Sequence, residues 1–223
     1  MQALVFDRGR ARVREVRRPV ARRGHVLIRV TLSGICNTDL ELRRGYHGFS
    51  GIPGHEFVGV VEGPEDSKLL GRRVVGEINL ACGSCDWCRR GLGRHCPRRT
   101  VLGIRGHPGA HAEYLTLPNH TIYIVPAEVT DAEAVFVEPL AAACEILDQV
   151  AVTPGMRAAV LGPGKLGRLA AQVLAHAGAD VALLGRRSRA RSQSFDLVVE
   201  ATGSPAGMGR AIGLVRPRGT IVW

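Results

Sequence analysis

The stretch Cys82–Cys96, CGSCDWCRRGLGRHC, holds four of the chain's six cysteines at the spacing C-x2-C-x2-C-x7-C. Four thiolates from one short loop can close on a single ion, which is the ligand type and count of a tetrahedral all-cysteine zinc site. Disulfide pairs, unrelated core cysteines and an iron–sulfur cluster are the other readings of such a run. Disulfides suit a short secreted scaffold, and the opening MQALVFDRGRARV has no apolar signal region. The spacing therefore favours zinc in a reducing, cytoplasmic setting. A zinc closed by four thiolates keeps no open position, so Cys82, Cys85, Cys88 and Cys96 are expected to brace a loop and to do no chemistry.

A chain of 223 residues has room for one large or two modest domains. Its 45% hydrophobic content comes without a long uncharged apolar run, so no membrane span is expected. The net charge of +10 raises nucleic acid as a partner. Against that, Lys68 and Lys165 are its lysines, the arginines are scattered as pairs from Arg17–Arg18 to Arg186–Arg187, and aromatic residues make up only 4%. Scattered charge with few stacking rings predicts no specific nucleic-acid site.

Along the first part of the chain, short β-rich runs (QALVF at 2–6, HVLIRVTL at 25–32, then RRVVGEI, RTVLGI, AEYLTL and TIYIV) alternate with glycine and proline turns. That punctuation predicts a β-barrel-like domain. Cys36 ends a strand-like run, and His55 sits in a Pro-Gly turn before Glu56 and the strand FVGVVE, an arrangement that lets both face one pocket. From about Thr130 the period becomes helical in DAEAVFVEPLAAACEILDQV, with Asp131 as candidate cap and Pro139 at an early turn or break. Glu138 is the oddity there, because a carboxylate among apolar neighbours is costly unless paired or bound to a metal.

The last part reads βαβ: a strand at 157–161, the turn Gly162-Pro163-Gly164-Lys165-Leu166-Gly167, a helix to about Ala177 and a strand at 181–184. A G-x-G-x-x-G between a buried strand and a helix lets backbone approach a pyrophosphate held at the helix N-terminus. Where an acid would bind the ribose hydroxyls of NAD, the chain has Gly185-Arg186-Arg187. Two guanidiniums in place of a carboxylate suit the 2′-phosphate of NADP.

Taken together, GICNTDLE, GHEFVGVV, CGSCDWCRRGLGRHC, FVEPLA, LGPGKLG and FDLVVEATG, in that order, make the chain resemble the zinc-dependent medium-chain dehydrogenases, the superfamily of alcohol, sorbitol, threonine and glucose dehydrogenases. The resemblance covers essentially the whole chain. It implies an α/β protein with a GroES-like β-barrel catalytic domain over 1–137 and a Rossmann doubly wound parallel sheet over 138–223, the active site and cofactor lying in a cleft between them. It makes Cys36, His55 and Glu138 ligands of a catalytic zinc, with Glu56 a direct or exchanging ligand, and Thr38 the hydroxyl of a proton relay. Gly162, Gly164, Lys165, Leu166, Gly167, Arg186 and Arg187 become the cofactor-binding set. The implied activity is hydride transfer between an alcohol or polyol CH–OH group and NADP or NAD, with two zinc ions per chain, one catalytic and one structural. Glutamate in FVEPLA resembles the polyol, glucose and threonine branch. A zinc-free quinone or enoyl reductase of the same superfamily lacks both metal constellations.

The chain also departs from the family pattern. Some members carry a relay histidine where this one has Glu41, and only ten residues after Gly185 comes Phe195, where a helix and a third strand are expected. The sequence stops at GTIVW, before the strand that family members use for dimer pairing, so a shortened Rossmann domain is expected and a homo-oligomer would have to form without that strand. A catalytically silent, zinc-braced homologue acting as a binding protein is the alternative reading.

Overall fold

A computed structural model describes residues 1–223, the side chain of His47 excepted. The chain divides into two compact units, Met1–Glu138 and Pro139–Trp223; the family resemblance implied domains over 1–137 and 138–223. Among the described residues no helix is long and apolar enough to cross a membrane.

The first unit is built on a five-stranded antiparallel sheet in the order Ile122–Ile124, Arg73–Gly76, Glu56–Gly63, His25–Gly34, Tyr114–Pro118. Alternate residues of these strands supply Val26, Ile28, Phe57, Val61, Val74, Leu115 and Leu117 to one core cluster, as the period of two in a strand requires. Gln2–Asp7 pairs with Arg10–Glu15 as a hairpin, and Asn79–Leu80, Thr100–Leu102 and Gly106–His107 form a small sheet beside the cysteine loop. The strand Arg10–Glu15 (RARVRE) is exposed along its whole length, so its alternation of arginine with Ala11 and Val13 buries no apolar face.

The helical stretch after Thr130 is two helices, Asp131–Ala134 and Val137–Gln149. The cap is Thr130, whose hydroxyl takes the Glu133 N–H while the Glu133 carboxylate takes the Thr130 N–H. Asp131, the expected cap, is instead the first helical residue and bonds Thr31 Oγ1 at 2.7 Å and Arg73 Nη1 at 2.9 Å. Pro139 falls in the first turn of the second helix, where no backbone N–H is needed.

The second unit is a parallel sheet in the order Asp180–Leu184, Arg157–Leu161, Phe195–Glu200, Val215–Val222. Ala158, Val160, Leu197 and Val199 face Ala143, Ile146, Ala170, Val173 and Leu174 of two helices, Val137–Gln149 and Lys165–His176. The intervening Ala159, Leu161 and Val198 face Ala211 and Leu214 of the helix Pro205–Leu214 on the other side. Both faces of the inner strands Arg157–Leu161 and Phe195–Glu200 are covered, which is why these two carry adjacent buried apolar residues.

Gly185–Ser194 crosses from Leu184 to Phe195 without a helix. Returning along a short strand and passing one neighbour requires roughly 20 Å, and ten residues reach about 33 Å, so an extended crossing suffices. It is pinned to the helix Pro205–Leu214: Arg210 donates to Gly185 O at 2.7 Å and to Ser188 O at 2.6 Å. Ser192 Oγ and Gln193 N bond Gly213 O, and Ser194 N bonds Leu214 O. Replacing Arg210 by alanine is expected to free the first half of this crossing. Tryptic cleavage after Arg186, Arg187, Arg189 or Arg191 should then accelerate several-fold in a limited-digestion time course, and an unchanged rate would show that the backbone bonds alone hold it.

Candidate metal and cofactor sites

In the cysteine loop, Cys82 and Cys85 lead into the short helix Asp86–Arg89, Cys88 lies within it, and Cys96 follows the turn Gly93–His95 and is fully buried. The Sγ separations are 3.9 Å for Cys82–Cys88, 3.4 Å for Cys85–Cys88 and 3.7 Å for Cys85–Cys96. A tetrahedron with Zn–S of about 2.3 Å has edges of about 3.8 Å, whereas a disulfide needs about 2.05 Å. All six cysteines are free thiols, and these four fit one zinc. The backbone N–H of Ser84 foremost, with further hydrogen bonds outweighing burial, holds the Cys82 thiol down at about 5. Burial first, then the neighbouring Cys85 and Cys96, push Cys88 up to about 11. Four sulfurs this close cannot all ionise without a cation between them.

The second site grows out of strand register. Gly34 at the end of one strand pairs with Glu56 at the start of the next, so Cys36, two residues past the first strand, and His55, one before the second, meet at one end of the sheet. A Cβ on Gly34 would collide with the Glu56 carboxylate, which explains the glycine. Cys36, His55 and Glu56 present ligand atoms all within 4.8 Å of one another. Glu138 stands outside that tight trio yet within its field. Burial raises its pKa, the charge of His55 lowers it, and Glu56, Glu77 and Asp39 raise it further. Thr38 Oγ1 lies 3.5 Å from Cys36 Sγ. Glu41 is exposed and paired with Arg44 at 2.5 Å.

Asp39 carries no metal-ligand signature in the sequence, but it organises the site. It is 2% exposed and lies at the third position of the helix Asn37–Arg43, where its Oδ2 takes the Cys36 N–H at 2.8 Å. Its Oδ1 takes the Gly54 N–H at 3.2 Å and lies 3.8 Å from His55 Nδ1, a buried atom without a hydrogen bond. Burial alone would raise the Asp39 pKa. The hydrogen bond from His111, the Cys36 N–H and the charges of His55 and His111 outweigh it and leave the carboxyl below its usual value.

At the carboxyl edge of the parallel sheet, Gly162 has φ +99° and stands so close to Ala201 that a Cβ would come within 3.0 Å of its carbonyl. Gly164 caps the helix Lys165–His176 and has open space before it, while a Cβ on Gly167 would collide with Gly162 O. Lys165 begins that helix and Leu166, its second residue, is half exposed. Arg186 and Arg187 sit in the exposed turn closed by Gly185 N donating to Ser188 Oγ at 3.0 Å. That turn lies beside the glycine turn, since a Cβ on Gly185 would be 3.6 Å from Pro163 Cγ. Ser188 and Arg210 went unseen in the sequence because their role is to shape a turn by bonds across the fold.

The chain is similar to known dehydrogenases in sequence and fold. Residues 22–127 match the alcohol dehydrogenase GroES-like domain. The alcohol dehydrogenase TADH from Thermus sp. ATN1 is 33% identical and superposes with a TM-score of 0.86, covering 99% of this chain and 76% of that one. A structure from Sinorhizobium meliloti 1021 bound to NADP, assigned as a zinc-binding dehydrogenase, is 26% identical with a TM-score of 0.88, covering 99% of this chain and 75% of the other. L-threonine 3-dehydrogenase of Coxiella burnetii is 36% identical over 171 residues, 72% of this chain and 49% of the relative. The chain belongs to the zinc-dependent medium-chain dehydrogenase superfamily, with a GroES-like domain and a Rossmann domain. It spans about half the length of the first curated relatives it matches.

Structural zinc binding is coupled to folding. Stripping the metal with a chelator, or replacing Cys96 by serine, should lower the melting temperature of the first unit by several degrees and open the loop to proteolysis around Arg89–Arg94. A melting curve unchanged by metal removal would contradict the brace.

Proposed function

We propose that this chain carries the metal and cofactor sites of an oxidoreductase that interconverts a small alcohol or polyol and its carbonyl, with NADP preferred over NAD. The observation that supports this best is the convergence of Cys36, His55 and Glu56 within 4.8 Å at one end of the sheet, a mixed S/N/O donor set of the kind that keeps a zinc position open. Glu138 completes the set. Burial foremost raises its pKa, the charge of His55 opposes that, and Glu56, Glu77 and Asp39 add to the rise; a divalent cation would balance these carboxylates. When bound, zinc would supply Lewis acidity and the nicotinamide a two-electron acceptor or donor.

The chain's own residues do the rest. Cys36, His55 and Glu138 hold the catalytic ion, with Glu56 a direct or exchanging ligand, and Cys82, Cys85, Cys88 and Cys96 hold the structural one. The Thr38 hydroxyl, beside Cys36, passes the substrate proton outward. Glu41, where some members carry a relay histidine, is paired with Arg44. Gly162, Gly164 and Gly167 admit a pyrophosphate to the backbone, with Lys165 and Leu166 at the start of the helix. Arg186 and Arg187 meet the 2′-phosphate.

Three measurements test this. Metal analysis should find two zincs per chain, and a panel of polyols, aldoses, amino alcohols and simple alcohols with NADP should show turnover that falls by about 10²-fold or more in Cys36→Ser and Glu138→Ala without loss of fold. Full activity in either variant would refute the ligand assignment, and a zinc-loaded chain inert to the whole panel would leave a binding protein. For the cofactor, Arg186→Ala with Arg187→Ala should weaken NADP binding roughly 10- to 100-fold while sparing NAD, the size of one or two lost charge-assisted hydrogen bonds. Equal or tighter binding of NAD by the unaltered chain would sink the arginine argument.

A further inference from the structure

We propose that His111 is a positioning residue of the Cys36–His55–Glu56 site, holding in place the Asp39 carboxylate that ties the two ligand-bearing segments together. The proposal rests on reading that trio as a zinc site. His111 lies in the loop before the strand Tyr114–Pro118, far along the chain from both ligand segments, and its side chain is only 10% exposed. Its Nδ1 is 2.7 Å from Ser33 Oγ and its Nε2 is 3.5 Å from Asp39 Oδ2.

These partners choose the tautomer. With the proton on Nε2 the ring offers an N–H to the carboxylate, and Nδ1 accepts the Ser33 hydroxyl. The opposite tautomer would set a lone pair against an anion. Asp39 is then held by groups on both oxygens. Oδ2 faces the Cys36 N–H and His111, and Oδ1 takes the Gly54 N–H and faces His55. Without His111 one side of a buried carboxylate loses its side-chain partner and gains freedom to rotate, and the backbone at Cys36 and Gly54 moves with it.

The surrounding structure is shaped to this ring. His111 N donates to Pro53 O at 3.0 Å, directly behind the His55 turn. Gly54 has φ +99°, and a Cβ there would stand 2.7 Å from His111 Nδ1. The ring therefore occupies space that only a glycine before His55 leaves open. Groups that orient a metal ligand from behind affect affinity strongly, typically 10- to 100-fold.

The test is zinc release from the purified, fully loaded chain into increasing concentrations of a chromophoric chelator, read alongside the melting temperature. Two release phases are expected, and Cys36→Ser should abolish the weaker one. His111→Phe keeps the ring volume and removes both nitrogens. It should weaken that phase alone by 10- to 100-fold, leaving the brace phase and the melting temperature in place. Ser33→Ala should shift the same phase by less, and Ser33→Thr, which restores the hydroxyl, should recover it. A weaker phase that neither His111→Phe nor Ser33→Ala moves overturns the proposal, as does a loss of both phases together with a lowered melting temperature. A wild-type chain with no second phase, or one untouched by Cys36→Ser, overturns the zinc reading itself.

Discussion

One buried carboxylate holds the first unit's chemistry together. Taking an ionised carboxyl out of water costs several kcal/mol unless donors surround it, and Asp39 collects two backbone N–H groups and two imidazoles. Both N–H groups belong to segments that carry a candidate ligand: Cys36 itself, and Gly54 immediately before His55. The helix cap and the site are thus one interaction. The same Oδ2 that starts the helix Asn37–Arg43 fixes the backbone from which Cys36 projects, so local helix energetics and site geometry are coupled.

Glu138 reaches this site by a different route. Arg73 spans the loop after the last strand of the sheet, bonding Asp131 as well as the carbonyls of Pro126 and Val129. Thr31 holds Asp131 from the neighbouring strand at 2.7 Å. With Ala134 and Val135 buried against Val58, Val75 and Val125, the short helix Asp131–Ala134 is fixed on the barrel, and Glu138 follows it four residues later. The partly exposed Arg73–Asp131 pair adds little as a bare ion pair. Its value lies in the satisfied carbonyls, which would otherwise be lost acceptors at a turn.

What the sequence made legible follows from distance along the chain. Four cysteines within one loop and three glycines within one turn carry their partners beside them, so spacing alone suggests the geometry. Short β-rich runs marked most barrel strands, whereas Arg10–Glu15, dominated by arginine and exposed on both faces, has no apolar face to mark it. Asp39 reads as an ordinary first-turn acid, because its second N–H partner is fifteen residues away. His111 and Ser33 are seventy-eight residues apart and belong to no local pattern. Thr130 took the cap from Asp131 because the hydroxyl–Glu133 exchange satisfies two backbone groups and leaves the aspartate free for Arg73.

The short crossing Gly185–Ser194 bears on function through which strands it leaves adjacent. The glycine turn, the arginine turn and the Glu200–Gly203 turn leave the carboxyl ends of Arg157–Leu161, Asp180–Leu184 and Phe195–Glu200, and these three strands are direct neighbours in the sheet. The connection before Asp180–Leu184 runs on the face of the helix Lys165–His176, while the crossing after it lies with the helix Pro205–Leu214 on the opposite face. Strand order therefore reverses between Arg157–Leu161 and Phe195–Glu200, where Gly162 abuts Ala201. A parallel sheet binds its ligand at such a reversal. A helix and strand added beyond Asp180–Leu184 would extend the sheet away from that point, so the short crossing leaves the reversal unaltered. Arg210 holds both ends of the arginine turn to the helix Pro205–Leu214 through the carbonyls of Gly185 and Ser188.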